Sequence, residues 1–214
     1  MSRNLQTKKE INEIIETLKQ TYPEAKCRLN YKSPLQLVVA LILAAQCTDD
    51  MVNKVVPILF NKYPDAESLA NANLSDIEKI VRPCGFYLTK AKNIQLTAKS
   101  IYENYNNIIP DSMEELTKLY GIGRKSSNII LQECYNKIEG IAVDTHVSRT
   151  SKRIGFTSSD IPLKQEQELI KKVDKKYFNK LNHILVFHGR AICISRKPKC
   201  DICPIEDKCK KVGV

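Results

Sequence analysis

The chain has 214 residues, of which 43% are hydrophobic, and a formal net charge of +10. That length admits one compact domain or two small ones around a real core, and no apolar run reaches 18 residues, which excludes a membrane-spanning helix and predicts no membrane partner. The charge is clustered: residues 118–153 carry seven Lys/Arg against three Asp/Glu, and residues 188–214 again carry seven against three. Clustering of this kind is the footprint of a polyanion; an ordinary basic surface is the plain alternative.

With seven glycines and no repeated strand–turn pattern, an all-α protein is expected. Residues 5–21 place Leu5, Ile11, Ile14, Ile15 and Leu18 mostly at three- and four-residue steps, a helical stripe. Ser33-Pro34 reads as an N-cap with a first-turn proline, opening an apolar helix from Leu35 to Ala45 that should be buried. Further helices are expected over about 48–62, 75–83, 89–105, 112–119, 124–137, 145–154, 163–176 and 179–190, with Ser75/Glu78 and Ser112/Glu115 as capping boxes. Pro64 and Pro110 fall between elements, where proline is tolerated.

One connection stands apart, Leu119-Tyr120-Gly121-Ile122-Gly123-Arg124-Lys125. Gly121 and Gly123 permit a tight turn with positive φ, and Ile122 can pin it to the core. The next helix begins at once, so its free amides could hold a backbone phosphate. Arg124 and Lys125 on that first turn oppose the helix dipole, a placement that a bound anion would make favourable. Among cations at a helix start, the Lys125 ammonium should also lose its proton more readily, and a neutral amine is a nucleophile. A plain phosphate contact is the competing reading. Downstream, Asp144 stands where an N-cap belongs, before a helix that ends at Gly155; it could also be an oriented carboxylate partner for Lys125.

Four cysteines, Cys193, Cys200, Cys203 and Cys209, form a C-x6-C-x2-C-x5-C run. The segment around them has too few apolar residues for a core of its own, so something must tie it together. Disulfides, structural zinc and an iron–sulfur cluster all use such thiols. Residues 1–10 lack the apolar run of a signal peptide, so a reducing compartment is expected. One tight pair flanked by longer spacers fits a cluster better than the two short knuckles of a zinc ribbon. Cys27, Cys47, Cys84 and Cys134 are scattered and read as small buried hydrophobes, and His146, His183 and His188 as structural.

Taken together, these motifs resemble the endonuclease III family of DNA glycosylases, in the helix-hairpin-helix superfamily, over about residues 8–210. Ala45-Gln46-Cys47-Thr48-Asp49 is similar to the family's A-Q-x-T-D helix end, Leu119 to Lys125 to its L-P-G-V-G-R-K hairpin, and Val143-Asp144-Thr145-His146 to its V-D-T-H. His188-Gly189-Arg190 and the four-cysteine loop resemble its H-G-R and cluster ligands. The resemblance implies two helical lobes: a six-helix barrel with the hairpin at residues 27–137, and a discontinuous lobe from residues 1–26 and 138–214 whose loop 193–209 carries a [4Fe–4S] cluster on the four cysteines.

The implied chemistry is base excision. Lys125 would attack C1′ of an oxidised pyrimidine nucleoside flipped out of double-stranded DNA, and the resulting Schiff base would permit β-elimination at the abasic site, with Asp144 assisting. Gln46 falls at the position that fills the vacated space and Phe86 at that of a wedge. Gly121, Gly123 and Arg124 would hold phosphate, as would Arg196, Lys197 and Lys199 in the cluster loop. A monomer acting in the cytoplasm on nucleoid DNA is expected. Tyr120 departs from the hairpin proline and Phe86 from the leucine wedge, and Lys125 and Asp144 stand 19 apart, one more than the family pattern. Two other readings compete: a monofunctional mismatch or adenine-type glycosylase, and a non-catalytic, metal-stabilised DNA-binding module.

Overall fold

Helices account for all the regular structure among the described residues, 5–214 of a computed structural model. The all-α expectation therefore holds. The chain divides into two units, Arg28–Lys137 and a second made of Met1–Cys27 with Ile138–Val214; residues 1–4 lie outside the described ones.

The second unit begins with α1 (Lys8–Thr21), which starts three residues later than its apolar pattern indicated. Thr7 caps it by accepting from the Glu10 amide, and Glu10 returns a bond to the Thr7 amide, so local capping chemistry sets the start and leaves Leu5 outside. Its stripe Ile11, Ile14, Ile15 and Leu18 is fully buried in one core with Phe156, Leu181, Ile184 and Leu185. Burying each such side chain is worth about 1.5–3 kcal/mol.

In the Arg28–Lys137 unit, α2 (Pro34–Leu43) is capped by Ser33, which accepts from Gln36 N, and buries seven residues in a row, Leu37 to Leu43. An unbroken apolar run makes a helix with no wet face. Next come α3 (Asp49–Lys62), α4 (Ala66–Ala70) and α5 (Leu74–Val81). The expected Ser75 cap is corrected: Asn73 caps α5, because its carbonyl oxygen takes both the Ser75 amide and the Ser75 hydroxyl. A 3-10 turn at Arg82–Cys84 leads to α6 (Tyr87–Asn104), whose inward stripe is Lys90, Ala91, Ile94, Thr97, Ala98 and Ile101.

The short α7 (Met113–Leu116) is capped by Ser112, but the Glu115 carboxylate accepts from the Tyr105 hydroxyl and pairs with Lys118. The glycine turn and α8 (Arg124–Tyr135) follow. Back in the other unit lie α9 (Thr145–Ile154), α10 (Pro162–Lys172) and α11 (Phe178–Ala191). Gly155 closes α9 at φ 94°, where an added Cβ would lie 2.6 Å from Lys210 Cγ. The buried Gln6 amide donates to Ile154 O at 3.0 Å and Lys208 O at 2.6 Å, tying both chain ends to that corner.

Candidate functional site

The glycine turn is built from beneath. Ile122 is buried and its amide donates to Leu119 O at 3.2 Å. Thr97 on α6 holds the turn through its hydroxyl to Tyr120 O at 2.9 Å. Gly121 has φ 77°, a left-handed conformation that needs glycine, and a Cβ there would lie 2.9 Å from Asn93 Nδ2. Gly123 differs: its backbone is extended, and nothing lies within 4 Å of an added Cβ. It is the N-cap of α8 and offers no side-chain acceptor, so the first-turn amides stay uncapped beside open space. Arg124 and Lys125 are exposed on that turn. The structure thus gathers Gly121, Gly123, Arg124 and Lys125 in one place, the arrangement that a phosphate can occupy.

Gln46 and Phe86, in the same unit, share an uncommon property. Both are exposed non-glycine residues with left-handed backbone, at φ 52° and 47°. Phe86 is 67% exposed, so it is no core aromatic. A bulky residue held left-handed and pointing at solvent is strained, and such strain collects at functional positions. The bases of the two loops meet at one side chain that the sequence did not single out. Lys90 is 4% exposed, and its ammonium donates to Leu43 O and Cys84 O, each at 2.8 Å. The available signal was a lysine on the apolar stripe 90/91/94/98/101.

In the other unit, Asp144 is the N-cap of α9, as its position predicted, with Oδ1 accepting from Val147 N at 2.8 Å. The side chain is half-buried, and one carboxylate oxygen is committed to the cap. Behind it α9 packs closely on α11. A Cβ on Gly189 would come within 3.0 Å of Thr150 Cγ2, so the glycine of His188-Gly189-Arg190 permits that approach. Arg149 bonds Gly189 O at 2.8 Å and Cys193 O at 3.1 Å, fixing where the cysteine loop departs.

All four cysteines of that loop line one hollow of about 340 Å³, its open mouth included. Three of their sulfurs meet N–H donors of the kind that bound thiolates accept. Arg153 Nη1 approaches Cys193 Sγ at 3.7 Å, the Lys211 amide Cys209 Sγ at 3.4 Å, and the Ile205 amide bonds Cys203. His188 Nε2 is 3.9 Å from Cys203 Sγ, and its Nδ1 lies 3.1 Å from the Tyr22 hydroxyl. Burial pulls the His188 imidazole down to about 4, so it is neutral at physiological pH.

Without a positive centre, burial pushes the Cys203 and Cys209 thiols up; a cation among them would reverse that. Among the described residues no group of three or more His, Cys, Asp or Glu lies close enough to hold a single metal ion. Arg196, Lys197 and Lys199 are exposed between the first two cysteines, on a stretch that Arg153 straps through Ile194 O at 2.6 Å and Ser195 O at 2.9 Å. The sequence singled out neither Arg149 nor Arg153, whose acceptors lie far along the chain. Of the scattered cysteines only Cys84 is buried, which corrects the expectation for Cys27, Cys47 and Cys134.

Comparison with known proteins agrees with this architecture. The HhH-GPD superfamily of base excision DNA repair proteins matches residues 39–176. An endonuclease III from Synechocystis sp. is 42% identical over 208 residues, 97% of this chain and 95% of that one. Two solved structures, a non-covalent endonuclease III–DNA complex and a trapped endonuclease III–DNA covalent intermediate, each superpose with a TM-score of 0.92 at 36% identity, covering 97% of both chains. On the glycine turn, the capped aspartate, the cysteine loop and these matches, the chain belongs to the endonuclease III family.

Proposed function

We propose that this protein excises oxidised pyrimidines from double-stranded DNA and nicks the resulting abasic site, with Lys125 as nucleophile. It is a bifunctional base-excision repair enzyme, a DNA glycosylase and abasic-site lyase. The observation that carries the residue assignment is an exposed lysine on the first turn after a phosphate-ready glycine hairpin, in a fold shared with an endonuclease III caught covalently on DNA.

The Lys125 amine forms a bond to C1′ as the N-glycosidic bond breaks and the base departs with its electron pair. A proton then passes from Nζ to O4′ as the C1′–O4′ bond breaks, so the sugar ring opens to a hydroxyl and a Schiff base between Nζ and C1′. Its iminium acidifies the C2′ proton, and loss of that proton breaks the C3′–O bond with the 3′ phosphate as leaving group. Asp144 contributes a fixed negative charge beside the cationic sugar and a site for the proton in transit. Gln46 fills the space that the flipped nucleotide leaves, and Phe86 wedges the stack. The uncapped amides after Gly121 and Gly123, with Arg124, grip the distorted backbone, and Arg196, Lys197 and Lys199 grip a further stretch.

Cys193, Cys200, Cys203 and Cys209 fit a [4Fe–4S] cluster, since all four line one hollow and three of their sulfurs receive N–H donors. When bound, the cluster supplies iron–thiolate bonds that close the basic loop. Purified protein should carry iron and acid-labile sulfide, and one zinc in their place contradicts this assignment. The same reading makes the protein a monomer acting on nucleoid DNA in the cytoplasm; no described helix is long and apolar enough to cross a membrane.

A panel of duplexes bearing thymine glycol, uracil, a G·T mismatch, 8-oxoguanine opposite adenine, or an abasic site tests the function. Base release at thymine glycol followed by strand scission is expected. Release at G·T or at adenine without scission would make the enzyme monofunctional.

A further inference from the structure

Lys90 occupies a position where a charge is costly. It stands on the stripe of α6 that faces the core and is 4% exposed. Burial of an ammonium costs several kcal/mol unless its donors are satisfied, and an unbranched apolar side chain would pack there without that cost. What Lys90 does with its charge is specific. One N–H goes to Leu43 O, in the last turn of α2, where helix carbonyls lack intrahelical partners. Another goes to Cys84 O, the last residue of the 3-10 turn. Three residues after Leu43 comes Gln46, and two after Cys84 comes Phe86, both left-handed and exposed. A single buried cation therefore anchors the bases of both loops.

Beside the ammonium lie the two carbonyls and the side chains of Cys47 and Cys84. Burial, with Cys47 bonded alongside, pushes the Cys84 thiol up to about 12, so it stays protonated. Burial also draws the Lys90 amine below the usual lysine range, the thiols opposing this weakly. Its bonds to two carbonyls are charge-assisted and directional, hence stiffer than apolar packing at the same spot.

Resting on the function proposed above, we infer that Lys90 is a positioning residue that fixes the spacing of Gln46 and Phe86, so that both enter one opened duplex together. It touches neither DNA nor the reacting atoms. Its contribution is geometric, and it is largest where the duplex resists opening. A well-paired lesion demands that the filler and the wedge act at once. A lesion already mispaired has lost part of that resistance.

The experiment compares base release by the intact protein from the same oxidised pyrimidine opposite its pairing purine and opposite a mismatched base, under single-turnover conditions. Lys90→Met keeps length and bulk but loses both donors. Release from the paired duplex should fall roughly 10–100-fold, the scale of a small misplacement distant from the chemistry, and release from the mismatched duplex about threefold or less. In the Lys90→Met background, Gln46→Ala and Phe86→Ala should cost much less than in wild type, since their joint action is already lost. If the methionine variant does not fold, Lys90→Gln, whose shorter amide can hold one carbonyl but not both, answers the same question. Equal losses on both duplexes, or additive effects of the double variants, would show a purely structural role and overturn the inference. Wild-type protein that releases neither base fails the enzymatic reading, and the inference falls with it.

Discussion

In the Arg28–Lys137 unit, Gln46, Phe86 and Gly121 hold φ values of 52°, 47° and 77°, whereas Asp144 in the other unit caps its helix in extended backbone at φ −102° and ψ −174°. The first unit sets its exposed groups by strain over an apolar core: α2 buries Leu37 to Leu43 in a row, Ile122 plugs the hairpin, and Lys90 ties two loops from below. The second unit sets its groups by straps. Arg149 and Arg153 reach four carbonyls from Gly189 to Ser195, and the four cysteines of the loop that follows line one hollow. Strain preserves a shape before any ligand arrives. Straps instead let a loop with little core of its own present several cations.

The largest effect expected from a change outside Lys125 is at Asp144. Asparagine caps helices as well as aspartate does, so Asp144→Asn should shift stability by only a few tenths of a kcal/mol while lowering single-turnover base release roughly 10²–10⁴-fold. A parallel loss of stability and activity would make Asp144 a cap and nothing more. Next come the two hairpin glycines, which should separate cleanly. Gly121→Ala forces a Cβ into left-handed backbone and should cost about 1–2 kcal/mol in denaturant titration. Gly123→Ala should cost at most about 1 kcal/mol, yet weaken duplex binding, because its Cβ enters the space offered to a phosphate. Equal destabilisation by both would dissolve the distinction between them. The smallest effect on the fold is expected at Phe86. Asparagine tolerates its left-handed backbone better, so Phe86→Asn should leave stability unchanged or raise it by about 1 kcal/mol while reducing release from a paired duplex. A clear loss of stability would mean that the phenyl ring serves the core.

What the sequence made legible was local. Ser33 and Asp144 as caps, Gly155 as a helix end and the glycine turn before α8 all depend on residues within a few positions of one another. Ser75 failed for a local reason too: Asn73, two residues earlier, takes both the Ser75 amide and its hydroxyl, so the helix begins before Ser75. Lys90 was illegible because one of its carbonyls lies 47 residues away, and on a helical wheel it is merely a flaw in an apolar stripe. The conformations of Gln46 and Phe86 were equally hidden. Neither position is itself a glycine, and Gly85 beside Phe86 does not by itself show that the phenylalanine shares its left-handed backbone. Arg149 and Arg153 find their acceptors 40 to 44 residues downstream, beyond the reach of any pattern within α9.

The central claim is that the amine of Lys125 joins the sugar. Borohydride reduction of wild-type protein on an abasic duplex should yield a stable adduct whose cross-linked peptide contains Lys125, and Lys125→Ala, folded as wild type, should yield none. An adduct that maps to another lysine, or that survives in Lys125→Ala, would contradict the account.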